Sequence, residues 1–582
     1  MRQASINLTG GSIGISENKW YVRFKPSNPA QLVTLEDLDI DLFDYPLDYE
    51  LVQEGDYYND GVTPAEEIPW LYAVVDVNFV PPAGVTYELL KRMHVPNDYR
   101  LENEAFRITG NNVDTAGCSA GGSAAATQGN SPMTECDCSS RPSALDCECR
   151  EQCGFGPPCV TPLPPVPVIR IPRPHITVTD DITNTQVPIR NARMVARRFL
   201  KVERVFTDNN GNCNFTKSFR NKVTLLIKFK NSNAIIKGLR GARLWQMLMP
   251  VKINFGRFRG ELNNIFINVN DNNDARSRGA RHWAAATAHN AVQEYRLDRA
   301  PAEGIGLPPN KLRVLLTPAN GAGSAPMFAK RFISTLPDYF VRQFILLHTN
   351  TYPLSYINTI ITVLAGTVDV TIGYNRGGFG TTSGNDRMAE LCYHEFTHAA
   401  HYNKVGNTSY GNFVQAEINE MISNFNGAFS PYGRGNTGNS PIIALGESWA
   451  YHIGHFFTNR KYGAQSGAFV EQQITYTNNN PVNGLNSNLN LLEDFSSSRT
   501  ADPFNWIPQG LFYDLMDQRN DRLVTGNFIY PDDLVNSYTN QQFFNALDAD
   551  VNNLPAYRAR LLSENANNQA ANVTTLFAFY RY

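Results

Sequence analysis

From Arg387 to Tyr402 the chain runs without glycine or proline: Arg-Met-Ala-Glu-Leu-Cys-Tyr-His-Glu-Phe-Thr-His-Ala-Ala-His-Tyr. Ser383-Gly-Asn-Asp386 supplies N-cap residues before it, and Gly406 supplies a stop after it. The run therefore predicts a helix, and that helix limits what the rest can build. Four residues is a little over one turn, so His394 and His398 stand on one face and can hold one ion. Glu395 projects near the same edge, where it can take a proton from water and return it to a leaving amine. Two histidines at this spacing also occur on ordinary helix surfaces. The short strand Val368-Asp-Val-Thr-Ile-Gly373 and the glycine loop Gly377 to Gly384 just before the helix favour zinc.

A catalytic zinc takes a third protein ligand and leaves its fourth position open. His401 shares the helix, but seven residues rise about 10.5 Å while ligand bonds are about 2 Å. A glutamate from a second helix is the better source. Glu417, with Glu420 one turn on, follows in a polar stretch. Glu447 lies in the apolar run Ile442-Ile-Ala-Leu-Gly-Glu-Ser-Trp-Ala-Tyr-His-Ile-Gly-His455. A glutamate there is buried and needs a cation, and Gly446 and Ala450 allow close approach of the two helices. Glu447 is favoured and Glu417 stays open. Tyr451, His452 and Tyr513, the last in an expected helix from Trp506 to Asp517, are candidates for stabilising an oxyanion, Tyr451 first among them. His282 and His289, seven apart on an expected helix from Arg281 to Leu297, read as structural.

His394-Glu-Phe-Thr-His398 followed by Glu447-Ser-Trp-Ala450 resembles the gluzincin class of zinc metallopeptidases. The resemblance implies His394, His398 and Glu447 as Zn2+ ligands and Glu395 as general base. It implies a strand ending in Ile372-Gly373 as the edge that pairs with a peptide substrate, and a Tyr or His as oxyanion donor, for which Tyr451, His452 and Tyr513 stay open. Gly446 stands where the class often has asparagine, a departure that weakens assignment to one subfamily. A metzincin pattern is absent, since position 401 is His and position 404 is Lys.

The remaining chain predicts a multidomain protein. Residues 1–115 are expected as an acidic α+β domain with strands at Trp20–Phe24 and Tyr72–Asp76. Residues 116–168 form a segment rich in cysteine and then proline. Residues 169–235 read as a β-sandwich, with strands at Ile176–Thr179, Arg193–Phe199 and Val223–Phe229 and a plain polar turn, rather than a calcium loop, at Thr207–Asn212. That stretch resembles the small transthyretin-like sandwich found beside carboxypeptidases. Residues 236–582 are expected as a mainly helical α+β zincin domain. Residues 1–115 hold 19 acids and 8 bases, and residues 170–243 hold 16 bases and 4 acids, so the two regions are expected to face each other. A net charge of −3 speaks against nucleic acid as a partner.

Seven of nine cysteines fall between Cys118 and Cys159, among residues that cannot pack a core, which favours disulfides over a thiolate cluster and an oxidising compartment. Cys392 is the expected unpaired thiol. No apolar run is long enough to span a bilayer, and Met1-Arg-Gln-Ala-Ser5 opens no signal peptide, so an exported chain is expected to have lost its leader. Arg23-Phe-Lys-Pro26 and Asp44-Tyr-Pro-Leu-Asp-Tyr-Glu50 are similar to stretches in a family of secreted multidomain proteins of the Bacteroidota. The expected function is hydrolysis of peptide or protein substrates outside the cell or at its surface. The alternative is an adhesin or a component of a surface or outer-membrane complex that retains the fold without turnover.

Overall fold

The alternating runs near the N-terminus pair with each other in the computed structural model. It describes residues 1–48, 58, 60–63, 67–110, 170–220, 222–239, 248–275, 277–320, 323–331, 365–376, 381–382, 384–423, 432–433, 435–463, 476–477, 480–481, 495–496, 506–517, 524–525, 528–529 and 534–582. The expected cysteine-rich segment and its proline run lie outside the described residues. The chain is α+β and divides into two compact units. The first comprises Met1–Thr179, Gln186–Phe229 and Val251–Asn270, and the second Asp180–Thr185, Lys230–Pro250 and Asp271–Tyr582.

In the first unit β1 (Lys19–Lys25) lies between β2 (Leu71–Asp76) and β3 (Thr86–Met93), antiparallel to both. Further along, β4 (Pro174–Asp180) lies between β5 (Thr185–Pro188) and β11 (Ile265–Val269). A four-stranded sheet runs β10 (Lys252–Phe258), β8 (Val223–Lys228), β6 (Arg193–Arg198), β7 (Lys201–Phe206). Tyr21, Phe43, Tyr45 and Leu47 share a buried apolar cluster with Val195 and Leu226, so the acidic and basic segments close on one core. Their charges meet there. Arg193 pairs with Asp39 at 2.6 Å, Lys228 with Asp41 at 3.4 Å, Lys252 with Asp44 at 3.0 Å and Lys201 with Glu102 at 3.2 Å.

The polar turn at Thr207–Asn212 is closed by its own atoms. Asp208 accepts from the backbone N–H groups of Asn210 and Asn212 at 2.9 and 2.8 Å. Gly211 has φ +78°, and a β-carbon there would fall 2.4 Å from the Ile176 carbonyl oxygen, so only glycine fits.

In the second unit a sheet runs β13 (Gly323–Ser324), β14 (Val370–Arg376), β12 (Leu312–Asn320), β9 (Ala234–Gly238), with β9, β12 and β14 parallel and β13 antiparallel to β14. A second short strand, β15 (Thr381–Thr382), also pairs with β14. The expectation that the strand ending at Ile372-Gly373 forms the sheet edge is therefore corrected. β14 is flanked by β12 on one side, and its other side is covered at Thr371 and Ile372 by β13 and at Asn375 and Arg376 by β15.

Two long helices pack with this sheet, α4 (Arg278–Gln293) and α5 (Asn385–Ser423), and a third, α6 (Ser440–Tyr462), packs along α5; α1 (Arg2–Thr9), α2 (Pro29–Asp37) and α3 (Tyr99–Ile108) belong to the first unit. Helix α4 carries His282 and His289, both buried, and continues into a π-helical turn at Glu294–Arg299. The helix expected from Trp506 to Asp517 is reduced to Leu511–Asp514. Pro508 has no N–H to give and Gly510 takes the N-cap position, so the preceding residues turn instead. Among the described residues no helix is long and apolar enough to cross a membrane.

Candidate metal centre

The start of α5 is tied down by a reciprocal pair. The Asn385 N–H donates to the Asp181 carboxylate at 2.8 Å, and the Asp181 N–H donates to the Asn385 side-chain oxygen at 3.0 Å. From Met388 to His401 every residue is buried, so this is a core helix rather than a surface one. Gly406 interrupts it with φ +76° and ψ −177°, at the position where the sequence places a stop, and a second helical segment beyond the kink carries Glu417. Cys392 is buried and unpaired, as is Cys213. Burial raises the Cys392 thiol far above its ordinary range, which keeps it neutral.

Helices α5 and α6 bring His394, His398 and Glu447 together, all three buried. Their imidazole Nε2 atoms lie 3.2 Å apart. Nε2 of His398 is 3.2 Å from Glu447 Oε1, and Nε2 of His394 is 3.4 Å from Glu447 Oε2. A tetrahedral ion with bonds of about 2.0–2.1 Å sets its ligand atoms about 3.3 Å from one another. The three separations match that edge length, so these residues fit a zinc-sized ion. Among the described residues, Nδ1 of both histidines is buried and lacks a hydrogen-bond partner. Aromatic packing orients the rings instead: Tyr451 meets His394 edge-to-face at 4.5 Å, and Phe413 stacks on His398 at 5.4 Å.

Close helix approach makes this possible. A β-carbon at Gly446 would fall 2.6 Å from the Phe413 ring, and one at Gly454 would fall 3.2 Å from the His394 β-carbon and 3.3 Å from the Glu390 carbonyl oxygen. Gly446 and the fully buried Ala450 were expected to serve in this way; Gly454 does as well.

Charge follows from the geometry. Burial opposes ionisation of Glu447, but His398 and His394 outweigh it and hold the carboxyl well below the usual range. Burial likewise opposes a proton on His394, yet the hydrogen bond to Glu447 and the nearby carboxylates raise it to about 9. Burial lowers His398. Without an ion, a proton on His394 thus supplies the positive charge that Glu447 requires. Glu395 is raised to about 8, chiefly by burial, with Glu447 and Glu390 adding to the rise and His394 opposing it. Its Oε2 is buried and has no partner among the described residues.

The rival ligand has a different place. Glu417 hydrogen-bonds to Glu447, and burial together with the Glu447 charge holds its proton on well above the usual range. Glu420 turns away to Thr437 and to the Asn439 amide, the latter at 2.7 Å. His401 is outside the group, edge-on to Tyr410 at 5.9 Å. His452, weighed as an oxyanion donor, belongs to the core instead: it bonds Asn540 at 2.8 Å among Trp449, Phe512 and Phe543. Tyr513 lies on the short helix Leu511–Asp514, half-buried. Tyr451, one turn after Glu447, reaches the centre, and its hydroxyl is 3.3 Å from that of Tyr432.

Two residues near the centre were not singled out from the sequence. Gly323 packs against the Glu395 carboxyl group, and Tyr432 pairs with Tyr451. A Tyr-Gly-x-Gly turn eight residues before α6 was the available signal for the second; no motif announces the first. Comparison of the chain with family models, with curated proteins and with solved structures finds no match.

Proposed function

We propose that this chain is a zinc-dependent peptidase, with His394, His398 and Glu447 as metal ligands and Glu395 as general base. The observation that carries the reading is the set of contacts among His394, His398 and Glu447, each 3.2–3.4 Å and each the length of a tetrahedral edge around zinc. Zinc held there supplies Lewis acidity, making water nucleophilic at neutral pH and polarising a carbonyl oxygen. Glu395 accepts the proton that water gives up and passes it to the departing amine. Its unpartnered buried oxygen and its position beside β13 suit that task. Tyr451, against the His394 ring, donates to the oxygen that becomes negative.

An extended peptide adding to the outer edge of β13 would pass beside the Glu395 carboxylate, with β13 replacing β14 as the docking strand. The arrangement of motif helix, kink and glutamate-bearing helix supports a gluzincin-like catalytic domain. The antiparallel strands β6 to β8 support the transthyretin-like reading of that stretch. Peptides or proteins are the substrate class, and the cysteine usage supports action outside the reducing cytoplasm.

The test is elemental analysis of the purified chain beside His394→Ala, Glu447→Ala and Glu395→Gln, each then given a peptide library. About one zinc per chain, lost in the two ligand variants and kept in Glu395→Gln, with cleavage by the wild type alone, is the expected result. A wild-type chain that takes up no metal when zinc is supplied sinks the proposal. Zinc uptake with no peptide cleaved would move the reading to a hydrolase of another substrate class.

A further inference from the structure

Tyr432 stands in a turn that the rest of the unit clamps from two sides. Gly433 has φ +65°, and a β-carbon on it would fall 2.0 Å from Glu420 Oε2. Gly435 has φ +73°, and a β-carbon there would fall 2.7 Å from the Trp506 ring. The Trp506 indole N–H donates to the Gly433 carbonyl at 3.2 Å. Glu420, which accepts from Thr437 and Asn439, is itself held in place. Neither glycine can take a side chain without moving a buried partner, so the turn at Tyr432 lies close against Glu420 and Trp506.

That position puts the Tyr432 hydroxyl 3.3 Å from the Tyr451 hydroxyl. Both side chains are half-buried. Tyr451 in turn lies 4.5 Å from the His394 ring, stacks on His455 at 5.8 Å and feels the charge of Glu447. Its ring is therefore fixed by two histidines, but its hydroxyl hydrogen can rotate about the C–O bond. A second hydroxyl that donates to the Tyr451 oxygen leaves the Tyr451 O–H to point elsewhere, and strengthens it as a donor.

We propose that Tyr432 is a positioning residue: it donates to the Tyr451 oxygen and so aims the Tyr451 O–H at the developing oxyanion of the substrate. The proposal rests on the peptidase reading of the same centre. It assigns Tyr432 no contact with substrate; its effect passes through Tyr451. Two hydroxyls acting in series have a signature that two separate supports lack. Removing the second is without consequence once the first is gone.

The experiment measures binding of N-phosphoryl-Leu-Trp, a tetrahedral anion, to the zinc-loaded full chain by calorimetry. The variants are Tyr432→Phe, Tyr451→Phe and the double variant, each checked for zinc content and thermal unfolding. The expected result is about tenfold weaker binding in Tyr432→Phe and a larger loss in Tyr451→Phe, with the double variant no weaker than Tyr451→Phe. On a cleaved peptide, kcat should fall with KM little changed in both single variants. Wild-type affinity in Tyr432→Phe overturns the proposal, as do losses that add in the double variant. A wild-type chain without zinc removes the peptidase reading and the proposal with it. A zinc-loaded wild type that binds the phosphoryl dipeptide while losses add overturns the role of Tyr432 alone.

Discussion

Gly323 and Glu395 share one space: a β-carbon on residue 323 would fall 2.3 Å from Oε1 of Glu395 and 2.8 Å from its Cδ and Cγ. The two residues come from different elements, the short strand β13 and the middle of α5, and the contact exists only because Gly323 has no side chain. Any substitution there has to displace the carboxylate or the strand. Gly323→Ala should leave His394, His398 and Glu447 in place while turning Glu395 out of line. Zinc content should be unchanged, and peptide cleavage should fall by about 10²-fold or more, the range for a misplaced general base. Elemental analysis beside steady-state kinetics checks both halves. Full cleavage by Gly323→Ala would mean that Glu395 acts from another position.

On the proposed reading, zinc has to displace a proton. In the metal-free centre His394 titrates near 9, because the Glu447 hydrogen bond and the surrounding carboxylates outweigh its burial. A protonated imidazole cannot ligate. As pH rises from 6 the unprotonated fraction grows, so zinc affinity should climb about tenfold per pH unit and level off near 9. Each ion bound at pH 7 should release at least one proton. Glu395, held near 8 chiefly by burial, can contribute part of another once the ion is present. Calorimetry of zinc binding in buffers of different ionisation enthalpy measures the release directly. An affinity that does not change between pH 6 and 8 would contradict the assigned protonation of His394.

The centre was more legible in the sequence than its surroundings. His394, Glu395 and His398 follow from helical geometry, and Glu447 from the cost of burying a carboxylate in an apolar helix; both arguments are local. Glu417 could not be separated from Glu447 by spacing alone, because the two neighbour each other in space and only packing decides which faces the histidines. The contact of Gly323 with Glu395 joins residues far apart in the chain and leaves no pattern at either end. The six strands named from the sequence lie within a few residues of β1, β2, β4, β6, β8 and β14, but their partners were not named, nor were strands such as β3, β7, β9 and β12. Alternation gives β6 and β8, whereas the insertion of β13 beside β14 depends on a two-residue pairing that no propensity encodes. The interleaving of the two units, in which β9 leaves the first unit and β10 and β11 return to it, is likewise a matter of long-range pairing.

Helix spacing sets the ligand geometry, so widening it should cost metal before it costs the fold. Gly446→Ala places a methyl group against the Phe413 ring, which stacks on His398. The ring has to move toward the histidine or the helices have to part. Overpacking of this kind costs about 1–3 kcal/mol, and a disturbed ligand support lowers metal affinity by about 10–100-fold. Gly454→Ala, whose methyl group would sit at 3.2 Å from the His394 β-carbon, should show a milder form of both effects. Competition with a chromogenic chelator and thermal unfolding measure them. Unchanged zinc affinity in Gly446→Ala would show that Phe413 does not orient His398.

Three buried histidines beside the centre should make the protein sensitive to acid. Burial lowers His401 to about 3, and lowers His452 and His455 to about 4, against an ordinary value of 6.5. Each is neutral in the folded chain at pH 5 while its unfolded counterpart is charged. The unfolded state therefore binds more protons between 6.5 and about 4, and stability rises with pH across that window. Their contribution is complete above 6.5 and is lost as pH falls toward 4, on the order of 2–3 kcal/mol for each. His452 offers the cleanest test, since it stands outside the ligand group and bonds Asn540 at 2.8 Å. His452→Gln keeps a donor for that bond and removes the titration. Denaturant unfolding of both proteins in the presence of chelator, at pH 7.5 and pH 5, should show a smaller acid loss in the variant. Equal losses would place the acid sensitivity elsewhere, in the Glu447 carboxylate or the first unit's ion pairs.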